Sequence, residues 1–279
     1  MNNRRLITRI AVYFVLSVVA LCFLSPTIIL ILRSLNFFSE QGFGILSLEN
    51  YSAILLKSRT IKTFLNGFII SFTQSVIVVV LGFISSFVLA RMKKKMLMKI
   101  QSFIFIWIGI PLNFLVIPVY FILQQLKLLN SLFITALFFT ACALPFTISI
   151  LTESLINQPE EALKSAELDG ANFFQILLMV ILPESIKSII TVGLNSFIVS
   201  WTTFIVPFIL INSSDKQPVS TAFYEQFSAS YGTNLGELAA FAILYTLPIW
   251  IIYFISYTVL NKRLFFKNIV QIDVSKFES

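Results

Sequence analysis

The stretch QPEEALKSAELDGANFFQILLMVILP, residues 158–183, is polar in its first half and apolar in its second. Residues 157–187 around it hold five of the 13 acidic residues of the chain. Pro159 suits the first position of a helix, and the two glutamates after it suit the positive end of the helix dipole. Gly170 suits the left-handed residue that ends a helix. The first half therefore predicts a short helix closed by a sharp turn.

The second half of the stretch predicts another helix. Asn172 can cap this helix, and the apolar residues Phe173–Leu182 form its body before Pro183 ends it. Ten residues are too few to cross a hydrocarbon core about 30 Å thick, so we expect an interfacial helix.

Long runs without any charged residue lie on both sides of this segment. Each exceeds the roughly 20 apolar residues that a helix needs to cross a membrane. We therefore predict an all-α membrane protein with six transmembrane helices, in one membrane domain over residues 1–279, with the segment 157–187 between the fourth and fifth spans. The six predicted spans are residues 10–32, 63–90, 100–126, 128–152, 188–214 and 238–261.

The composition supports a lipid environment and excludes several kinds of chemistry. Of the 279 residues, 57% are hydrophobic and 12% are charged, where about 25% charged is usual. The mean hydropathy is +0.91. The absence of histidine excludes metal sites built on imidazole and catalysis relayed through histidine. The two cysteines, Cys22 and Cys142, lie in apolar runs and form no disulfide framework.

The distribution of basic residues predicts the orientation in the membrane. If the N-terminus is inside, 14 of the 20 Lys and Arg residues lie on the inner side and 6 on the outer side. Because inner loops carry the excess of positive charge, we expect both termini in the cytoplasm. The dense basic run Arg91–Lys99 joins two spans, so we interpret it as a loop that sets this topology and not as a nucleic-acid site.

The segment 158–183 resembles the loop signature of ATP-binding-cassette (ABC) importer permeases, which is Glu-Ala-Ala, three residues, Gly, nine residues, Ile, any residue, Leu-Pro. Lys164-Ser165-Ala166, Gly170, Val180 and Leu182-Pro183 stand at the signature's positions. The form Leu168-Asp169-Gly170-Ala171 is similar to the Ile-Asp-Gly-Ala of the carbohydrate-uptake branch, in its second-permease type. Shorter matches extend the resemblance over roughly residues 10–262: Glu49-Asn50-Tyr51, Asn66, Leu89-Ala90-Arg91, Leu144-Pro145-Phe146 and Trp201.

The resemblance implies the type I fold of ABC importer permeases, with a cytoplasmic coupling helix between spans four and five. It implies a multi-pass subunit of the bacterial plasma (inner) membrane, surrounded by lipid. The implied partners are a second permease subunit in a heterodimer, two cytoplasmic ABC ATPase subunits, and an extracellular or periplasmic solute-binding protein. The residues it assigns to the ATPase-coupling loop are Glu161, Lys164, Ser165, Ala166, Asp169, Gly170, Ala171, Leu182 and Pro183.

The chain itself contains no Gly-x-x-x-x-Gly-Lys-Ser/Thr phosphate loop. The resemblance therefore implies that ATP and Mg bind to the partner ATPase subunits. We expect a transporter subunit that is not an enzyme and that binds no cofactor or metal.

The sequence departs from the family's pattern at several positions. Lys164 replaces the signature's glutamate, which reverses the charge, and Ser165 replaces its first alanine. If that glutamate normally pairs with a basic group on the ATPase, there are two alternatives. Either the ATPase carries a compensating change, or the complex depends on the other copy of the motif. The family's C-terminal tail is replaced by Arg263-Leu-Phe-Phe-Lys267.

Polar groups inside the spans are candidates for the substrate path, because such groups usually face protein or a water-filled cavity. The candidates are Asn66, Gln74, Asn113, Asn195, Ser200, Trp201, Thr202 and Thr203. Trp201 beside two hydroxyls is a reasonable sugar contact, although the family carries Trp-Asn-Glu-Phe where this chain has Trp-Thr-Thr-Phe. The alternative is structural, since Ser and Thr often bond their own helix and Asn often bridges helices.

Two other functional classes compete with the importer. An ion-coupled secondary transporter or channel would need ionisable residues within the spans or a repeat, and neither is evident. A membrane-embedded enzyme would need a catalytic constellation, which the inner acidic residues do not supply. Within the importer class, the favoured cargo is a sugar or oligosaccharide, and the alternative is a polyamine, a phosphonate or a metal chelate.

Overall fold

The structure is a computed structural model that describes residues 2–39, 42–158, 165–166, 168–229 and 234–275. These residues are mainly helical, which confirms the predicted all-α class; among them only one two-stranded antiparallel hairpin occurs. The helices and strands are α1 (Asn2–Ser34), β1 (Phe38–Ser39), β2 (Gly42–Phe43), α2 (Glu49–Leu55), α3 (Ser58–Ala90), α4 (Lys94–Ile108), α5 (Leu112–Gln125), α6 (Leu132–Ile156), α7 (Phe173–Gln175), a π-helical turn (Ile176–Ile181), α8 (Leu182–Thr202), α9 (Ile205–Leu210), α10 (Val219–Ala229) and α11 (Leu235–Ser275).

Five helices of the described chain are long and apolar enough to cross a membrane, and a bent pair supplies a sixth if it counts as one span. The five are Arg9–Ser34, Ser58–Ala90, Leu132–Ile156, Ile176–Thr202 and Leu235–Thr258. They cover most of the predicted spans 10–32, 63–90, 128–152 and 238–261. The number of spans is therefore five or six.

The predicted span 100–126 is sharply bent, and it stays a single span only if the bent pair of helices crosses the membrane together. Helices α4 and α5 meet there at an 83° bend. Pro111 has no backbone N–H and disfavours a helical conformation for the residue before it, so the chain between Gly109 and Pro111 leaves the helix.

The predicted span 188–214 also needs correction. Helix α8 begins earlier, at Leu182, and ends at Thr202, and Thr203 takes an extended conformation with ψ 119°. A proline ring clashes with the carbonyl four residues earlier, and Pro207 stands four residues after Thr203. The chain therefore breaks before continuing as the short helix α9.

The predicted interfacial helix Phe173–Leu182, ended by Pro183, is not a separate element. Helix α7, the π-helical turn and α8 form one helical run, and the Leu182 N–H bonds the Leu177 carbonyl five residues earlier. Pro183 lies in the first turn of α8, where its missing N–H is tolerated.

The chain forms two compact units, residues 1–61 with 222–247, and residues 62–221 with 248–279. In the first unit, Asn50 is buried and donates to the Asn36 side chain and the Ser34 carbonyl. In the second unit, an apolar cluster joins α3, α5, α6 and α9. Its buried members are Ile70, Val116, Leu123, Ala136, Phe138, Phe139, Val206, Leu210 and Ile211.

Candidate functional site

The predicted turn at Gly170 is present. Gly170 has φ +77°, the left-handed region, and a side chain there would meet open space. The Asp169 N–H bonds the Ser165 carbonyl at 3.0 Å, and the Ala171 N–H bonds the Ala166 carbonyl at 3.0 Å. The second bond runs from five residues ahead across a left-handed glycine, which is the pattern of a Schellman helix end. The prediction that Gly170 closes a helix is confirmed.

The predicted cap at Asn172 is present as well. The Asn172 side-chain oxygen accepts from the Gln175 backbone N–H at 3.0 Å, and the Gln175 side chain accepts from the Asn172 N–H at 2.7 Å. This reciprocal capping box satisfies two backbone donors at the start of the helical run. The turn and the next helix are thus both stabilised by residues of the segment itself.

The turn is exposed. Leu168 is 88% exposed, and Asp169, Gly170 and Pro183 are exposed too. Ala166, Ala171 and Leu182 are partly buried. Glu161 and Lys164 lie outside the described residues, so the effect of the lysine at the signature's first position stays a prediction.

The apolar side of the segment packs against the end of α3. The Phe173 ring meets the Phe87 ring edge-on at 5.4 Å between centroids. Phe87, Leu155 and Ile181 form a buried cluster that joins α3, α6 and the π-helical turn. The guanidinium of Arg91 lies 3.6 Å from the centre of the Phe87 ring, a cation–π contact.

Hydrogen bonds that the sequence reasoning missed join the end of α6 and Gln158 after it to the start of α8. The Gln158 amide nitrogen donates to Ser185 Oγ at 2.7 Å and to the Ile181 carbonyl at 3.3 Å. The Ser188 hydroxyl donates to the Ser154 hydroxyl oxygen at 2.7 Å. The partners are 27 and 34 residues apart in sequence.

A cavity of about 550 Å³ lies at the bend between α4 and α5 in the second unit. Helices α3, α6 and α8 complete its walls, and none of its described lining residues is charged. The lining residues are Gln74, Trp107, Ile108, Ile110, Pro111, Leu112, Leu115, Val119, Phe138, Phe139, Ala141, Cys142, Ala143, Pro145, Phe146, Asn195, Ser196 and Val199.

Gln74 is the most buried polar side chain of this cavity, with 1% of its surface exposed. Ser200 Oγ donates to the Gln74 carbonyl oxygen at 3.2 Å. The bonds that the described residues make to the Gln74 side chain all go to this oxygen. The amide nitrogen, which carries two hydrogens, is left able to donate to a group in the cavity.

The predicted path residues divide into two groups. Gln74 and Asn195 line the cavity, and Ser200, which does not line it, donates a hydrogen bond to Gln74. The others do not line it: Asn66, Asn113, Trp201, Thr202 and Thr203. The aromatic walls, among them Trp107, were missed by the sequence reasoning.

The residues outside the cavity have structural partners. Trp201 is 2% exposed, with its ring stacked on Phe197 at 5.7 Å. Thr202 and Thr203 donate to carbonyls of their own helix. Asn113 is exposed in the first turn of α5.

Asn66 and Asn130 hold the loop 211–218. The Asn66 amide donates to the carbonyls of Asp215 and Gln217 at 2.9 and 3.1 Å. The Asn130 side chain accepts from the N–H groups of Asn212 and Ser213 at 2.6 and 2.9 Å. This loop lies beside the start of α6, whereas the segment 165–183 lies beyond its end.

Comparisons with known proteins agree on one family. The family model described as "Binding-protein-dependent transport system inner membrane component" matches residues 79–266. The diacetylchitobiose uptake system permease protein DasC of Streptomyces coelicolor is 30% identical over 190 residues, 67% of this chain and 68% of that protein. The lactose transport system permease protein LacG of Rhizobium radiobacter is 22% identical over 256 residues, 90% of this chain and 93% of that protein.

One solved structure has a similar fold. A chain from a bacterial ABC transporter involved in the import of the acidic polysaccharide alginate superposes with a TM-score of 0.74 at 19% identity. The superposition covers 92% of this chain and 98% of that chain.

Proposed function

The chain belongs to the family of binding-protein-dependent transport system inner membrane components, and from that premise we propose that it carries a neutral sugar or oligosaccharide across the bacterial inner membrane. As a permease subunit of a binding-protein-dependent ABC importer, it is not itself an enzyme. We propose that a second permease chain completes the path and that two cytoplasmic ATPase subunits, which bind ATP and Mg, supply the energy. A solute-binding protein delivers the sugar to the outer side of the membrane.

The exposed turn at Gly170 carries the proposal that this chain couples to an ATPase. The Gly170 turn and the Asn172 cap satisfy backbone groups from within the segment itself. Its exposed surface includes the apolar side chain of Leu168 beside the carboxylate of Asp169. A rigid, exposed helix end with one apolar contact suits insertion into a groove of another protein.

ATP would then act by biasing a two-state equilibrium. Binding of nucleotide closes the ATPase pair, which moves the segment 165–183 and the helices attached to it. The helical run from Phe173 to Thr202 has no break, and it connects the turn at Gly170 directly with Asn195 and Ser196 in the cavity wall. Movement of the turn would therefore change the cavity.

The cavity supports a neutral carbohydrate as the cargo. It offers aromatic surface from Trp107 to the C–H faces of a sugar, and the Gln74 amide and Ser196 hydroxyl to its hydroxyl groups. No charged side chain among its described lining residues would neutralise a charged cargo. DasC and LacG, named for diacetylchitobiose and lactose, support the same class.

The coupling proposal is tested at Gly170. Proline requires φ near −65° and cannot adopt +77°, so Gly170→Pro should abolish uptake while membrane insertion and assembly continue. Asparagine tolerates the left-handed region, so the matched control Gly170→Asn should stay within about twofold of the wild type. The measurement is sugar uptake into proteoliposomes that contain the whole complex. Normal uptake by Gly170→Pro would refute the coupling role.

The cargo proposal is tested at Gln74. Loss of one hydrogen bond to a desolvated ligand costs about 1.4 kcal/mol, so Gln74→Leu should weaken lactose or diacetylchitobiose uptake about tenfold. Thr202→Val removes a hydroxyl that bonds its own helix outside the cavity and should leave uptake unchanged. Spermidine and aminoethylphosphonate serve as charged competitors. If the complex transports one of these two compounds and no sugar, the cargo is a polyamine or a phosphonate and not a sugar.

A further inference from the structure

We call the end of α6 with Gln158 and the first turns of α8 the two stems, and they are joined by four side chains, Ser154, Gln158, Ser185 and Ser188, which we call the stem clasp. Ser154 belongs to α6 and Gln158 follows its last turn, whereas Ser185 and Ser188 belong to the first turns of α8. The clasp makes three hydrogen bonds, two from Gln158 and one between the serines.

The hydrogen bonds of the clasp form two layers. Gln158 bonds Ser185 in the layer nearer the exposed turn, and Ser154 bonds Ser188 in the next. Ser185 and Ser188, three residues apart on α8, lie on the same helical face. Ser185 is 0% exposed, so its contact with Gln158 is shielded from water.

Gln158 occupies a special place in the clasp. Its second acceptor is the Ile181 carbonyl, at the boundary between the π-helical turn and α8. The Ile181 side chain packs in the same buried cluster as Leu155 of α6. Polar and apolar contacts thus hold the same two stems at the same level.

We propose that the stem clasp keeps α6 and α8 together throughout the transport cycle, with Gln158 as a positioning residue for coupling. This inference rests on the proposed function. The turn at Gly170 then moves as the tip of one rigid pair of helices, and its displacement reaches the cavity through both of them. If the two stems instead separated, movement of the turn would push α6 and α8 apart and would not reach the cavity.

Replacement of Gln158 tests the role in coupling. Gln158→Leu keeps a side chain of similar size but loses both hydrogen bonds, while Ser185 can still bond a carbonyl of its own helix. Sugar imported per ATP hydrolysed should fall between about twofold and thirtyfold, with assembly and ATP binding unchanged. Ser154→Ala, which loses one bond, should have a smaller effect. A merely structural role would lower the amount of complex and leave this ratio unchanged.

A cross-link tests whether the stems separate. The hydroxyl oxygens of Ser154 and Ser188 are 2.7 Å apart, so the thiols of Ser154→Cys and Ser188→Cys would lie in contact and oxidation can be used to join them. The background carries Cys22→Ser and Cys142→Ala, which remove both native cysteines. The oxidised complex should import sugar at a rate close to that of its reduced form. The cysteine-free complex, oxidised in parallel, controls for damage to the partner subunits.

Each outcome of the cross-link decides the question. Loss of uptake on oxidation, with recovery on reduction, would overturn the proposal, because it would mean that the stems must separate. Failure of the disulfide to form during turnover would contradict the contact itself. Uptake by the reduced form shows that the proposed function stands in this background, so failure of the clasp and failure of the proposed function are distinguished.

Discussion

The two ends of helix α6 carry two reversals of the chain that are stabilised in opposite ways. Beyond its end, the segment 165–183 satisfies its own backbone through Gly170 and the Asn172–Gln175 pair. Beside its start, the loop 211–218 has its backbone groups bonded by side chains from elsewhere, Asn66 and Asn130.

The two arrangements differ in how their shape depends on the surrounding helices. A loop whose N–H and carbonyl groups are held by neighbouring helices keeps one shape as long as those helices stay in place. A segment that caps itself keeps its shape even when its surroundings change. The loop held by neighbouring helices suits a fixed surface. The segment that caps itself suits a part that a partner binds and displaces.

The largest effect is expected at Asn130. Asn130→Ala removes the acceptor of two hydrogen bonds, worth about 1 kcal/mol each, and leaves alanine at φ 61°, which costs about 1 kcal/mol more. The free energy of unfolding should fall by about 3 kcal/mol, measured by denaturant titration in detergent. Asn130→Gly tolerates the backbone conformation and should lose about 2 kcal/mol. Equal losses for both variants would show that the conformation adds no strain.

A smaller loss is expected at Asn66, on the other side of the same loop. Asn66→Leu removes two donated hydrogen bonds, to Asp215 and Gln217, and should lower the free energy of unfolding by about 2 kcal/mol. ATP hydrolysis without sugar should be unchanged, because the loop lies at the opposite end of α6 from the turn at Gly170. A changed basal ATPase rate with normal stability would contradict the assignment of a fixed surface.

The sequence predicted the self-capped end better than the bonded end, for a physical reason. Gly170 and Asn172 act on backbone groups within five residues, so local chemistry reveals them. Asn130 and Gln158 act on groups 82 and 27 residues away, and only the fold brings these together. The apolar runs showed where membrane helices lie, and Pro111 could be expected to mark a kink, yet an uninterrupted lack of charge concealed the break at Thr203.

The cavity shows the same limit. Gln74 and Asn195 were found because polar residues in apolar spans are costly and so attract attention. Trp107 and Phe139 were not found, because an aromatic residue in a span carries no sign of whether it faces lipid or a cavity.

A still smaller effect is expected at Asn172. Asn172→Ala removes the cap and should destabilise the start of its helix by about 1 kcal/mol, whereas Asn172→Asp, which keeps a capping oxygen, should restore it. Because the cap is local, sugar uptake should fall severalfold while global unfolding stays unchanged. A fall in the global unfolding free energy as large as that for Asn130→Ala would remove the distinction between the two ends.

The smallest effect is expected from the charge of Lys164. Lys164 lies outside the described residues, and its position in the loop signature predicts contact with the ATPase. An exposed ion pair contributes up to about 1 kcal/mol, so Lys164→Glu should raise coupled ATPase activity by no more than about fivefold if the partner offers a basic group. Lys127→Glu makes the same charge reversal at the opposite end of α6 and should change nothing. If both variants respond alike, the effect belongs to net charge and not to a contact of Lys164; if only Lys164→Glu responds, the lysine weakens a contact that the family's glutamate would make.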